Sequence, residues 1–155
     1  MNIFLTDPDP KKSAIALDNL RLNKMVLETA QLLASACVSI GEDLGYKATH
    51  YFHPCAVWTR HTKGNYSWLV EHGLELAAEF EKRFYHVHAS EEIIKKAHSY
   101  RDNFHDKAVV FDFNCSGFNS GDVFEDYKNC LRAKWSSDTR SPQWYGRPCP
   151  EWRNL

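Results

Sequence analysis

No apolar run in the chain approaches the roughly 18 residues that a membrane span requires, so a membrane is not an expected partner. Met1-Asn2-Ile3-Phe4 lacks the charged start and long apolar stretch of a signal peptide. Five widely spaced cysteines (37, 55, 115, 130, 149) contain no CxxC pair, and no disulfide framework is expected. Together these absences point to the cytoplasm. Charge of one sign is also lacking. Nineteen Lys and Arg against 20 Asp and Glu give a net charge of -1, which excludes a uniformly basic nucleic-acid coat but not a local basic face. Neither a GxGxxG fingerprint nor a P-loop occurs, and Gly117 and Gly121 read as loop glycines.

What is present suits one globular unit. The 155 residues are 43% hydrophobic and 14% aromatic, enough to bury about two thirds of the unfolded surface without a metal or disulfide staple. The expectation is an all-α single domain over 1–155, with two long packed helices behind a short extended start, and an irregular basic and aromatic tail from about 136. Met1 to Leu5 reads as a strand or an anchored extended segment, and Asp7-Pro8-Asp9-Pro10 as a turn that opens a helix. From Lys11 to Ile40 the spacing is helical, with a break near Asp18 and an apolar stripe of Leu22, Val26, Thr29, Leu33 and Ala36. Arg21, Lys24, Glu28 and Gln31 form a polar line beside it. Pro54 opens a short helix, and Asn65 to about Tyr85 a long one, with Glu71, Glu75, Glu79, Glu81 and Lys82 expected to be largely solvated. Ser90 reads as the cap of a third segment to about Phe104, residues 108–120 as a strand-like run and then a Gly/Ser/Asn loop, and Asp122 to Trp135 as helix.

Several constellations offer chemistry. Glu28 sits mid-helix among Val26, Leu27, Ala30 and Leu32, one turn after Lys24; the pair reads either as an exposed ion pair or as an acid-base group. His53-Pro54-Cys55-Ala56-Val57-Trp58-Thr59-Arg60 and Asn65-Tyr66-Ser67-Trp68 gather polar, cationic and aromatic groups into a plausible pocket wall. Arg60 there suits phosphate and Trp58 or Trp68 a base, unless the tryptophans are core. Residues 128–155 carry Lys128, Arg132, Lys134, Arg140, Arg147 and Arg153 against Asp138 and Glu151. Interleaved Trp135, Trp144, Tyr145 and Trp152 make that tail either a nucleic-acid surface or a segment packed on the domain. His86-Val87-His88 finds no third and fourth ligand at diagnostic spacing, and Cys55 beside His53 lacks a third group and reads as an inert buried thiol. No metal and no cofactor are expected.

At LNKMVLETAQLL (22–33), HPCAVWTR (53–60), Lys134-Trp135 and Pro150-Glu151-Trp152 the sequence resembles a family of small bacteriophage proteins that begin MNIF. That family is in turn similar to the endonuclease V type pyrimidine-dimer DNA glycosylases, on the acid-bearing first helix, the HP segment and GNYSWLVEHGLELAAEFEKRF (64–84). The resemblance implies a glycosylase and abasic-site lyase acting on a damaged or modified base. In it, the N-terminal amine attacks the sugar of a flipped nucleotide and a glutamate, here Glu28, assists. Asn2 is large, so Met1 is expected to be retained as the nucleophile. Asn19 and Arg21 stand where the family has an acid and a histidine. Arg21, Lys24, His53, Trp58, Arg60, Asn65 and Trp68 are then the substrate contacts, and Lys134, Trp135, Arg147 and Trp152 the nucleic-acid contacts. The partner is DNA with a flipped base or a phosphorylated nucleotide, in an infected host cell, with homo-oligomerisation left open. The alternative is a phage-encoded nucleotide-binding or sequestering inhibitor of host defence, which needs the pocket but no nucleophile.

Overall fold

A computed structural model describes residues 1–155 as six α-helices and two short 3₁₀ turns, with no strand. Asp9 accepts hydrogen bonds from the Lys11 and Lys12 N–H groups, and Pro10 opens α1 (Pro10–Ile15) behind it. The break expected near Asp18 is a corner. The Asp18 carboxylate accepts from the Arg21 N–H and starts α2 (Asn19–Val38), so α1 and α2 are separate helices. α3 (Pro54–His61) has Pro54 in its first turn and the His53 ring as its cap, and Thr62 caps α4 (Lys63–Phe84). α5 (Glu91–His98) and α6 (Val123–Ser137) follow.

α4 is the spine, packed on α1, α2, α3 and α5 around one continuous core that includes Leu22, Val26, Leu33, Leu69, Leu76 and Tyr127. Gly73 lets α4 approach: a Cβ there would lie 2.8 Å from Thr29 Cγ2 on α2 and 3.0 Å from Ile94 Cγ2 on α5.

Residues 108–113 are not a strand. The run finds no neighbouring strand, and its backbone instead docks on the start of α4. The Lys63 and Gly64 N–H groups, which have no partner inside the helix, donate to the carbonyls of His105 (2.8 Å) and Lys107 (2.9 Å). Asn65 accepts from the Val110 N–H at 2.9 Å, and the Trp58 indole donates to the Val110 carbonyl at 2.6 Å. A Cβ at position 64 would collide with the Val109 backbone, so this docking needs glycine.

Beneath the N-terminal segment lies His72, fully buried, its Nδ1 bonded to the Pro10 carbonyl at 3.0 Å and its ring stacked 4.9 Å from Trp68. Burial lowers its pKa from 6.5 to about 4. The unfolded chain therefore binds a proton that the folded chain refuses, and stability falls as pH drops from about 6.5 towards 4. By linkage the loss at pH 5 relative to pH 7 is on the order of 2 kcal/mol. Urea midpoints at the two pH values measure it, and His72→Gln, which keeps a donor within reach of Pro10, is expected to flatten most of the difference.

Candidate active site

Four parts of the chain meet at Glu28. The first is the N-terminal segment. Asn2 Oδ1 accepts from the Ile3 N–H (2.7 Å) and the Phe4 N–H (3.0 Å), Ser13 Oγ donates to the Phe4 carbonyl, and Ile3, Phe4 and Leu5 are buried. So anchored, the Asn2 N–H donates to Glu28 Oε2 at 3.1 Å and the Met1 amine stands 4.0 Å from the same oxygen. The second is α2, on which Glu28, 8% exposed, holds Lys24 Nζ at 3.4 Å from Oε1. The third is the start of α3, where His53 Nδ1 accepts from the Cys55 N–H at 3.1 Å. Burial, then the positive N-terminus and His50, hold His53 below the usual imidazole value, so it is neutral near pH 7.

The fourth part is the loop after the docked segment, which brings Cys115 to Cys55 and His53; one ligand atom from each lies within 4.8 Å of the others. Cys115 is the acidic partner of the thiol pair. The hydrogen bond with Cys55 is the main cause that lowers it to about 7, against burial, and the positive N-terminus adds to it. That same bond, with burial, pushes Cys55 strongly up. The Cys115 N–H donates to Tyr127 Oη at 2.9 Å. Nearby, buried Asp126 ties the loop down by accepting from the Ser120 N–H and the Asn114 amide, both at 2.9 Å.

Met1, Lys24, Glu28 and His53 are therefore brought together. Lys134 is exposed at the flank, its Nζ 6.0 Å from the centre of the Phe4 ring. Other expected contacts are spent elsewhere. Arg21 is committed to Asp138 (2.9 and 3.0 Å) and Asp18 (3.1 Å), which leaves no donor pair for a phosphate. Trp58, Asn65 and Trp68 are core. Both indoles donate to backbone carbonyls, Trp68 to Pro8 at 2.7 Å, and the Asn65 amide donates to the Trp58 carbonyl. Trp135 is buried with its indole on Asp18 at 2.7 Å, stacked 5.5 Å from a half-buried Trp152. Arg147 is bonded to both oxygens of Glu79. The tail is thus packed on the domain and strapped across the α1–α2 corner, where Trp144 also donates to the Ala16 carbonyl. Arg60 lies 4.0 Å over the Tyr51 ring and donates to the Tyr51 carbonyl, organising the loop before α3.

Sequence reasoning missed two residues. Cys115 lies 60 positions from Cys55 with no motif to join them, and Phe52, 85% exposed beside His53, had no apolar periodicity to single it out. Clefts open elsewhere, among them one of about 450 Å³ between Asp18–Leu20 and residues 138–145, and one of about 320 Å³ between α1 and residues 147–152. At Glu28 little surface is open: Glu28 is 8% exposed and the Met1 side chain only 3%. Nowhere is a helix long and apolar enough to cross a membrane.

A carboxylate beside a backbone amine, flanked by lysines and a neutral imidazole, has the parts for amine-based covalent catalysis. Comparison with known families matches residues 1–92 to the family described as pyrimidine dimer DNA glycosylase. No curated protein and no solved structure was found to match the chain.

Proposed function

The chain belongs to the pyrimidine dimer DNA glycosylase family, and on that premise we propose that it is a DNA glycosylase and abasic-site lyase that uses its N-terminal amine and Glu28. The observation that carries the reading is the pair itself, Met1 N at 4.0 Å and Asn2 N at 3.1 Å from one buried carboxylate oxygen. Loss of Met1 would leave an amine at Asn2, still on Glu28.

The unprotonated amine attacks C1′ of the target deoxyribose, and the N–C1′ bond forms as the glycosidic bond breaks; the base leaves with the bonding pair and takes up a proton. Opening of the sugar ring with loss of the amine proton gives an imine. Removal of a C2′ proton then expels the 3′ phosphate and cuts the strand. Glu28 handles these protons, and only a group touching the amine is placed to do so. The target nucleotide must leave the duplex and displace Met1 from its packing. Lys24 and Lys134 take the phosphates, and Phe52 stands free to occupy the space of an extruded base. Such an enzyme works in the compartment that holds the DNA, the cytoplasm of an infected host cell.

Borohydride trapping tests the reading. With abasic or ultraviolet-damaged duplex, a covalent protein–DNA adduct is expected, and peptide mapping by mass spectrometry is expected to place it on the terminal residue. No adduct on either DNA overturns the proposal, and a co-purifying phosphorylated ligand in that case makes this a sequestering protein.

A further inference from the structure

The cluster beside the amine has no task in the steps above. We propose that His53, Cys55 and Cys115 form a site for Zn²⁺ near the N-terminal amine. The donor set selects the ion. Two sulfurs and one imidazole nitrogen, with no oxygen donor among them, suit a thiophilic divalent ion and reject Ca²⁺ or Mg²⁺. Ligand atoms on one tetrahedral Zn²⁺ are about 3.3–3.8 Å apart, given bonds of about 2.0–2.3 Å. The three here already lie within 4.8 Å, so small side-chain rotations close the site.

Pre-organisation supports the same conclusion. His53 and Cys55 sit at the cap and first turn of α3, whose N-terminus favours thiolate charge. Cys115 is held by Tyr127 and by the Asp126-tied loop. One cost is visible. The His53 Nδ1 lone pair is the one that accepts from the Cys55 N–H, so a ligating imidazole gives up that cap bond. A single cap hydrogen bond weighs little against three metal–ligand bonds. A disulfide between the two cysteines would use only two of the three groups and leave His53 unexplained.

Position gives the consequence. The charge of the N-terminus is felt by His53 and by both thiols, so the amine lies near the cluster. An ion there competes with the proton and with the sugar for the amine lone pair, so Zn²⁺ inhibits. Only this consequence depends on the glycosylase reading; the binding does not.

The test uses reduced, chelator-treated full-length protein titrated with Co²⁺ as a spectroscopic stand-in, followed by Zn²⁺ displacement. One equivalent per chain is expected, with thiolate-to-cobalt charge-transfer absorption. Cys115→Ser should weaken binding at least tenfold and lower that absorption. His53→Asn, which retains a capping side chain, should weaken it at least tenfold with the fold intact by circular dichroism. Absorption without sulfur character, or affinity unchanged in both variants, overturns the site. Saturating Zn²⁺ is expected to suppress the borohydride adduct at least tenfold in the parent protein but not in Cys115→Ser. An undiminished adduct overturns the placement at the amine. Zn²⁺ binding by a protein that never forms an adduct upholds the site while removing the glycosylase reading.

Discussion

Glu28→Gln is expected to lower the rate of borohydride-trapped adduct formation by about 10²- to 10⁴-fold, the range typical of losing a positioned acid-base group. The substitution is close to isosteric, and a glutamine Oε1 still accepts the Asn2 N–H that Glu28 now takes at 3.1 Å. What disappears is the carboxylate 4.0 Å from the Met1 amine. The ion pair with Lys24 also goes, but Lys24 is exposed and such a pair is worth about 0.5 kcal/mol or less, so unfolding is not the cause of the expected loss. Binding separates chemistry from recognition. Affinity for a duplex carrying a reduced abasic site, which cannot form an imine, should change less than about threefold, because the phosphate contacts assigned to Lys24 and Lys134 remain. Lys24→Ala should show the reverse pattern, with weaker, more salt-sensitive binding and chemistry nearly preserved at saturation. An adduct rate in Glu28→Gln within a few-fold of the parent value would remove the carboxylate from the mechanism.

Much of the helical frame was legible because its signals are local. The apolar stripe Leu22, Val26, Leu33 and Ala36 gives α2, Pro54 marks the start of α3, and the 64–84 pattern gives α4, whereas at Asp18 only a break was legible and not the cap it forms. The all-α class followed from these elements. Glu28 was singled out by its place among apolar neighbours and by resemblance, yet its contact with residues 1 and 2 depends on how the extended start folds back. Long-range partners account for the misreadings. Residues 108–113 have strand composition, but composition reports a fit to a pleated surface, and here the Val110 N–H and carbonyl are met by the Asn65 and Trp58 side chains instead of a neighbouring strand. Trp58, Trp68 and Trp135 look like base-stacking groups in the sequence, whereas each indole N–H finds a buried acceptor. Arg21 and Arg147 read as phosphate ligands until their carboxylates, 117 and 68 residues away, are located. Sequence charge counts cannot distinguish a free guanidinium from a paired one.

Glu79→Ala is expected to destabilise the protein by about 3–5 kcal/mol, the range for breaking a buried ion pair from one side. The four-residue spacing of Glu71, Glu75 and Glu79 suggests a solvated helix face, but Glu79 is only 5% exposed. Its Oε1 accepts from Arg83 Nε at 2.8 Å and from Arg147 Nε at 2.6 Å, and Oε2 accepts from Arg147 Nη2 at 2.9 Å. Arg83, 3% exposed, in turn donates to the Leu17 and Ile15 carbonyls and to Asn19 Oδ1. One carboxylate thus ties α4 to the α1–α2 corner and to the C-terminal strap. Burial alone would raise its pKa, yet the bonds from Arg147 and Arg83 outweigh burial and hold it below the ordinary carboxylate value. The stability it supplies is therefore complete above about pH 4.5 and is lost as pH falls through the lower folded value. Removing Glu79 strands the Arg83 charge in the interior, which is why its loss should exceed that of Arg147→Ala, a more exposed partner whose removal leaves Glu79 with Arg83. Urea denaturation at pH 7 measures both, and a double-mutant cycle of Glu79→Ala with Arg83→Ala should be strongly less than additive because the second change removes the stranded charge. Equal, small losses of about 0.5 kcal/mol for Glu79→Ala and Arg147→Ala would mean that the network behaves as a surface ion pair. In that case Arg147 would become available to phosphates, while Arg21 would stay with Asp18 and Asp138.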